Sequence, residues 1–154
     1  KLVSKKINRK NIKNKIILIK KFYKENLKKT PRMGILGLNP HCESILNYNE
    51  DEKIIKPIVL KMRKTGYKIN GPLSADTIFL KNNRKNYDVI IGMYHDQVLA
   101  PIKSIYNFEA INITLGLPFL RITPDHGTNT SMIGKNKSNP LSLIKTFEFA
   151  EKIK

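Results

Sequence analysis

The chain has 154 residues, of which 29 are Lys or Arg and 12 are Asp or Glu, so its formal net charge is +17. This length is sufficient for one ordinary domain with an apolar core. The sequence contains neither a signal-peptide pattern nor an apolar run near the roughly 18–20 residues that a membrane-spanning helix needs. The single Cys42 excludes an internal disulfide framework and favours a reducing, cytoplasmic location.

The positive charge has two interpretations. A basic chain can bind nucleic acid or another anionic ligand. Here, however, the charge is spread along the whole chain and is nearly all Lys, in a sequence also rich in Asn and Ile, whose codons share an A/T bias. No compact Arg/aromatic motif accompanies it. We therefore interpret the charge as solvated surface and expect neither a nucleic-acid nor a membrane partner.

Two helices are predicted in the first half of the chain, on either side of a short strand. Four apolar residues at helical spacing predict an amphipathic surface helix within residues 8–28. The strand, residues 33–39, is expected to be buried and to end in Asn-Pro-His. The second helix is expected to begin after Asn49 as N-cap, to be kinked by Pro57, and to end at Gly66. The four spaced residues of the first helix are Ile12, Ile16, Ile19 and Tyr23.

Short strands and helices continue to alternate in the second half. Residues 67–79 predict a strand, a Gly-Pro turn and then Ala-Asp-Thr. Residues 88–97, DVIIGMYHDQ, predict a strand covered on both faces that ends in polar side chains, followed by a short helix or turn. Further strands are expected within residues 110–117 and 118–128. A last helix is expected to begin with Asn139 as cap and Pro140 at its first position, and to run to about Lys152. The alternation predicts α/β architecture.

Four titratable side chains follow predicted strands and form the first candidate site. Ligands of open α/β sheets bind beyond the carboxyl ends of the strands, so these groups could converge on one cleft if the strands are neighbours. Two imidazoles with carboxylates suit zinc, cobalt or manganese, but a third ligand is wanted. The alternative is that the histidines are capping or otherwise satisfied groups. The four residues are His41, Asp76, His95 and Asp96.

A second group, Lys103, Asn112 and Arg121, suits a phosphate or carboxylate ligand. Asn112 lies in an otherwise apolar strand, where a buried amide needs a partner. Arg121 is flanked by apolar residues, an unusual place for a guanidinium without an anion. An internal salt bridge for Arg121 and a strand-edge position for Asn112 are the alternatives, and the sequence does not decide between them.

Residues 125–140, DHGTNTSMIGKNKSNP, form a third candidate segment. A His-Gly turn followed by Gly-Lys and an Asn-Pro cap could surround a nucleotide with backbone donors. The segment contains neither GxGxxG nor a P-loop, so it does not predict a Rossmann or Walker site. A purely structural role for His126 is the alternative.

Taken together, these motifs resemble the 4-hydroxythreonine-4-phosphate dehydrogenase family of vitamin B6 biosynthesis. The matching stretches span nearly the whole chain in the family's order: GLNPH, NGPLSADTIF, MYHDQ, NITLGLPFLRITPDHGT and GKNKS. The resemblance implies an isocitrate/isopropylmalate dehydrogenase-like α/β fold. It also implies that residues 1–154 are roughly the C-terminal half of a two-domain enzyme whose N-terminal half is absent from this sequence.

The resemblance also implies roles for the candidate residues. The family is a homodimer with a shared active site, where three histidines hold a divalent metal (zinc, magnesium or cobalt); His41 and His95 match two of them. Asp76 and Asp96 match carboxylates beside the metal that could tune it or accept a proton. The second group, Lys103, Asn112 and Arg121, matches residues that hold the phosphorylated substrate. The residues expected to bind the cofactor NAD are His126, Gly127, Thr128 and Asn139.

The implied reaction oxidises 4-phosphohydroxy-L-threonine to 2-amino-3-oxo-4-phosphooxybutanoate, which decarboxylates to 3-amino-2-oxopropyl phosphate. The rivals are a related decarboxylating dehydrogenase with another phosphorylated or dicarboxylic hydroxy acid as substrate, and a non-catalytic basic remnant. Two departures from the family pattern bear on the site: CESILN at residues 42–47 replaces a glycine-rich stretch, and Val98 replaces a glycine after the HDQ turn.

Overall fold

A computed structural model describes residues 2–42, 49–128 and 130–153. The chain divides into two compact units, Lys1–Leu99 and Ala100–Lys154. Within the described residues, no helix is long and apolar enough to cross a membrane. Both units mix helices with strands, so the predicted α/β class is confirmed.

The first unit contains a three-stranded parallel sheet. Its strand order is β2-β1-β3, with Met33 of β1 opposite Ile69 on one side and Val89 on the other. The condition on which the first candidate site depends, that these strands are neighbours, is met, and all three strands end at the same edge. The elements are α1 (Leu2–Lys6), α2 (Arg9–Asn26), β1 (Met33–Leu36), a π-helical turn (Asp51–Ile55), α3 (Lys56–Lys64), β2 (Ile69–Leu73), α4 (Lys81–Arg84), β3 (Val89–Ile91) and α5 (His95–Tyr106), which continues into the second unit.

The core of the first unit lies around β1, whose four residues are all buried. The apolar stripe of α2 packs there through Ile12 and Ile16, which confirms the predicted amphipathic helix. That helix begins after Asn8, whose side-chain oxygen accepts a hydrogen bond from the Asn11 N–H at 2.9 Å. The inner face of α3 supplies Ile58, Val59 and Met62.

The predicted Gly-Pro turn is wrong, because Gly71 and Pro72 lie within β2. This strand is at an edge of the described sheet, and its register against β1 shifts between Gly34 and Leu36, so a residue without an N–H is tolerated there. Gly71 has φ +151°, and a Cβ at this position would lie 2.5 Å from the Ile35 carbonyl oxygen. The close approach of β1 therefore requires glycine.

The kink predicted at Pro57 stays a prediction. Pro57 is the second residue of α3 and lies directly after a turn that departs from α-helical geometry. The preceding turn is π-helical, with the Lys56 N–H donating to the Asp51 carbonyl five residues earlier. The predicted ends of the helical segment are confirmed: Asn49 Oδ1 accepts from the Asp51 N–H at 2.9 Å, and Gly66 follows the last turn with φ +82°.

The expected burial of β3 on both faces is wrong as well. Its residues are half-buried, because β3 forms the other edge of the described sheet while β1 occupies the centre.

The second unit contains a two-stranded antiparallel sheet and a long final helix. Strands β4 (Ile111–Thr114) and β5 (Arg121–Pro124) pair, with Ile111 opposite Pro124. Helix α6 (Leu141–Lys152) packs on them and begins one residue later than predicted. The predicted cap is confirmed, because Asn139 Oδ1 accepts from the Leu141 N–H at 2.9 Å. Single 3₁₀ turns lie at Asn107–Glu109 and Thr130–Met132.

Candidate functional site

Three polar turns lie at the carboxyl edge of the parallel sheet. His41 follows β1, Asp76 follows β2, and His95 with Asp96 opens α5 directly after β3. The apolar runs form strands that pack on the core, and the polar residues begin where each strand leaves it. The four residues therefore lie at one sheet edge, whereas their convergence on a single cleft stays a prediction.

His41 and Asp76 are brought together from neighbouring strand ends. The His41 Nε2 atom lies 3.2 Å from Asp76 Oδ2. The two turns are also joined through their backbones, because the Ala75 N–H donates to the Pro40 carbonyl at 3.2 Å. Both side chains are exposed, so the pair is open to a ligand.

His95 and Asp96 form a second pair at the start of α5. The His95 Nδ1 atom lies 2.6 Å from Asp96 Oδ1. With Nδ1 in that contact, Nε2 is the ring nitrogen that could coordinate a cation, and a carboxylate in this position fixes the orientation of the ring. The Asp96 side chain is 85% exposed.

Two buried polar residues behind these turns were missed by the sequence analysis as part of the site. Asp51, predicted only to stabilise a helix N-terminus, is fully buried and accepts hydrogen bonds from the Leu38 and Asn39 N–H groups at 2.6 and 3.1 Å. Gln97 is also buried, and its side chain bonds to both Gly37 and Met93. No local pattern distinguishes Asp51 from its acidic neighbours. The polar Gln97, soon after an apolar strand, could have indicated a residue of the site.

The donor set suits part of a metal coordination shell. Imidazole nitrogen and carboxylate oxygen are ligands of zinc and similar divalent cations. Among the described residues, no group of three His, Cys, Asp or Glu side chains could hold a metal. The structure therefore forms two His–Asp pairs and does not join them into one cluster.

The predicted substrate residues lie in the second unit. Lys103 Nζ lies 3.0 Å from Asp125 Oδ2 and also donates to the Asp125 carbonyl, a pairing that the sequence did not predict. Arg121 is exposed and donates to Thr114 Oγ1 at 2.8 Å across the strand pair, so the alternative of an internal salt bridge finds no partner in the described chain. Asn112 is exposed, and the premise of a buried amide was wrong.

The predicted nucleotide segment is an exposed turn after β5. His126 Nδ1 lies 3.1 Å from the Gly127 carbonyl, and a Cβ on Gly127 would meet no atom within 4 Å. Thr128 is exposed beside them, and Asn139 caps α6. Residue 129 lies outside the described residues. The assignment of this segment to a cofactor stays a prediction.

Of the two departures from the family pattern, the structure describes Val98 in full and the CESILN stretch only at its first residue. Val98 lies within α5, where the backbone is right-handed helical, so a glycine's conformational freedom is not needed. Its side chain instead lies close to Gly92, where an added Cβ would come within 2.6 Å of Val98 Cγ1. Of the CESILN stretch, only Cys42 is described, with φ +61°; residues 43–48 lie outside the described part.

Parallel strands that carry histidines and carboxylates to one sheet edge define a class, the α/β proteins that bind ligands beyond their strand ends. Within that class the comparison is specific: residues 1–150 match the family described as pyridoxal phosphate biosynthetic protein PdxA. The chain belongs to this family.

Three proteins that this chain resembles share one name. A 4-hydroxythreonine-4-phosphate dehydrogenase of Sulfurihydrogenibium sp. (strain YO3AOP1) is 44% identical over 150 residues, 96% of this chain and 46% of the relative. One from Xanthobacter autotrophicus (strain ATCC BAA-1158 / Py2) is 45% identical over 125 residues, 80% of this chain and 35% of the relative. The crystal structure of the Klebsiella pneumoniae 4-hydroxythreonine-4-phosphate dehydrogenase superposes with a TM-score of 0.81 at 33% identity, over 99% of this chain and 47% of that one. The chain thus spans less than half the length of these relatives.

Proposed function

We propose that this chain supplies metal- and substrate-binding residues to a 4-hydroxythreonine-4-phosphate dehydrogenase of vitamin B6 biosynthesis, with NAD as the oxidant. The observation that carries the proposal is the pair of His–Asp contacts at the carboxyl edge of one parallel sheet. The names of the relatives support the same reaction.

His41 and His95 are the residues that would hold the divalent cation, with zinc, magnesium and cobalt as candidates. When bound, such a cation acts as a Lewis acid that lowers the pKa of a substrate hydroxyl. Asp96 would keep the His95 ring in a fixed orientation through Nδ1. The family resemblance implies a homodimer with a shared active site, and we include it in the proposal, with further ligands from outside the described chain.

Asp96 is our candidate for the group that accepts the hydroxyl proton. One of its oxygens contacts His95, and the side chain is otherwise open to substrate. Asp76 would hold His41 in the corresponding way. NAD, when bound, would accept the hydride from the carbon that bears this hydroxyl. The product, a β-keto acid, would then lose carbon dioxide to give 3-amino-2-oxopropyl phosphate.

We assign phosphate binding to the positively charged side chains of the second unit. Arg121 presents an exposed guanidinium on β5, a geometry suited to bidentate binding of phosphate. Lys103 would exchange part of its contact with Asp125 for the substrate. Asn112, exposed on the adjacent strand, would add a hydrogen bond. Residues 126–128 and Asn139 would lie against the nucleotide.

The test replaces the matching part of the Sulfurihydrogenibium relative with this chain and measures NADH formation from 4-phosphohydroxy-L-threonine with added metal. We expect activity in this chimera, and loss of both bound metal and NADH formation in its His41→Ala and His95→Ala variants. Arg121→Ala should raise the substrate KM while leaving the metal content unchanged. Unaltered metal content and activity in His95→Ala would contradict the assignment.

The same chimera separates the alternatives. A substrate panel in which another phosphorylated or dicarboxylic hydroxy acid reacts faster would indicate a related dehydrogenase. Steeply salt-dependent binding of the chain to random DNA, with no metal bound, would indicate a basic binding module instead.

A further inference from the structure

The turn that carries His41 is held from behind by a buried carboxylate. Asp51 Oδ1 accepts from the Leu38 N–H at 2.6 Å, and Oδ2 accepts from the backbone N–H and the side-chain amide of Asn39 at 3.1 and 2.8 Å. Asp51 is 0% exposed. A buried carboxylate is costly unless it is fully hydrogen-bonded, and here all three donors come from the segment between β1 and His41.

A second buried side chain joins that segment to the turn that carries His95. Gln97 Nε2 donates to the Gly37 carbonyl at 2.7 Å, and Gln97 Oε1 accepts from the Met93 N–H, also at 2.7 Å. Gln97 is 7% exposed. Both ends of its amide are thus used, one on the strand end of β1 and the other on the strand end of β3.

The packing around Gly37 leaves little freedom in this arrangement. A Cβ at Gly37 would lie 2.8 Å from Cys42 Sγ and 3.1 Å from Asp51 Oδ1. The segment before His41 therefore lies directly against the Asp51 carboxylate. Asn39 and Met93 each lie two residues before a histidine, so a shift of Asp51 or Gln97 would be transmitted through the backbone to an imidazole.

We infer that Asp51 and Gln97 are positioning residues, which set the placement of His41 and His95 for a shared cation; this inference rests on the proposed function. Neither side chain would touch the cation. Each holds the backbone on which a ligand is mounted, so that the ligands are ordered before the cation binds.

The test uses exchanges that keep side-chain size. Asp51→Asn places an NH₂ group opposite N–H donors, and Gln97→Glu places an oxygen opposite the Gly37 carbonyl. Glu52→Gln is the matched control, since it makes the same chemical change on the neighbouring residue, whose carboxylate pairs with Lys56 on the surface. The Kd for cobalt(II), measured in the chimera with the Sulfurihydrogenibium relative, should rise about 10- to 100-fold in both variants and stay within twofold in the control.

A second readout needs no metal. In Asp51→Asn, the Leu38 and Asn39 amides should exchange with solvent faster and the His41 ring NMR signals should move. In Gln97→Glu, the same should hold for the Met93 amide and the His95 ring. If either variant fails to fold, Asn39→Ala removes one hydrogen bond to Asp51 and should give the Asp51→Asn changes in weaker form.

The outcomes separate the two proposals. A lower melting temperature with unchanged cobalt affinity and unchanged ring signals would overturn the positioning role and leave a merely structural one. If the unsubstituted chimera binds no cobalt, the metal part of the proposed function fails, and the ring signals alone decide whether Asp51 and Gln97 are positioning residues. The positioning role then stands if those signals move more than in Glu52→Gln, and it falls if they do not.

Discussion

The two units of the chain differ in how their interiors are built. All eleven buried hydrophobic residues of the described chain lie in Lys1–Leu99, whereas the buried residues of Ala100–Lys154 are the polar Ser142 and Thr146. Nine of the fourteen exposed large hydrophobic residues lie in the second unit. The first unit therefore supports its His–Asp turns on an apolar core. The second unit holds the charged side chains of Lys103 and Arg121 through hydrogen bonds and an ion pair.

The largest effect that tests this difference is expected from identical substitutions in the two units. Ile35 is 0% exposed in the centre of β1, and Ile133 is 77% exposed. Ile35→Ala should lower the free energy of unfolding by ~2–5 kcal/mol through lost burial and a residual cavity. Ile133→Ala should change it by less than ~0.5 kcal/mol. Urea denaturation measures both, and similar losses would contradict the comparison.

A smaller effect is expected from the polar interior of the second unit. Ser142 Oγ donates to the Ala110 carbonyl at 2.6 Å and accepts from the Asp125 N–H at 2.9 Å. Ser142→Ala leaves both groups without this partner and should cost ~1–3 kcal/mol, with faster hydrogen exchange at Asp125. Ser104→Ala, which removes one exposed hydroxyl contact with the Ala100 carbonyl, is the control. Equal effects of the two substitutions would mean that Ser142 has no special role.

An electrostatic contribution of about 1 kcal/mol is expected from Asp88 in the first unit, since its partners are half-exposed. Hydrogen bonding by Arg32, with a further bond from Lys29, holds the pKa of Asp88 well below its usual range. A depressed carboxyl pKa stabilises the fold above the unfolded-state pKa of ~3.9 and loses that contribution as the pH falls below it.

The free energy difference between wild type and Asp88→Asn should therefore be constant near neutral pH and shrink below about pH 4. Glu25→Gln, which alters a surface carboxylate 4.0 Å from Lys21, should show almost no difference at either pH. A gap that widens in acid would refute this account of Asp88.

The smallest effect is expected at the surface pair of Glu52 and Lys56, 2.9 Å apart one turn along the helix. Both side chains are half-exposed, so Glu52→Gln should cost no more than ~0.5 kcal/mol, and less at high salt. Thermal melts at low and high salt measure this. A large loss would show that surface charges stabilise the first unit more than its core suggests.

Local patterns predicted the elements that depend on local chemistry. The spacing of Ile12 and Ile16 predicted α2, and the change from apolar to polar residues predicted the strand ends that carry His41 and His95. The position of a strand within the sheet was not readable in the same way. Pro72 was therefore placed in a turn, and β3 was expected to be buried on both faces.

The hydrogen-bond partners of the site were hidden because they are distant in sequence. Gln97 and Gly37 are 60 residues apart, and Asp51 and Leu38 are 13 apart. Lys103 and Asp125 likewise meet only because the fold brings α5 beside the end of β5. Single-sequence patterns report which side chains are polar, but the identity of a partner depends on tertiary structure.

The π-helical turn at Asp51–Ile55 makes this point of the chain tolerant of losing one residue. Such a turn contains one residue more than an α-helical turn, so deleting Lys53 would allow an ordinary helix to form there. The Lys56 N–H would still donate to the Asp51 carbonyl, now as a normal helical hydrogen bond, and the Asp51 carboxylate would stay beside the Leu38 amide. A deletion inside the regular helix that follows, for example of Lys61, would instead rotate Asp51 by about 100° relative to the rest of that helix and would disrupt the histidine turn.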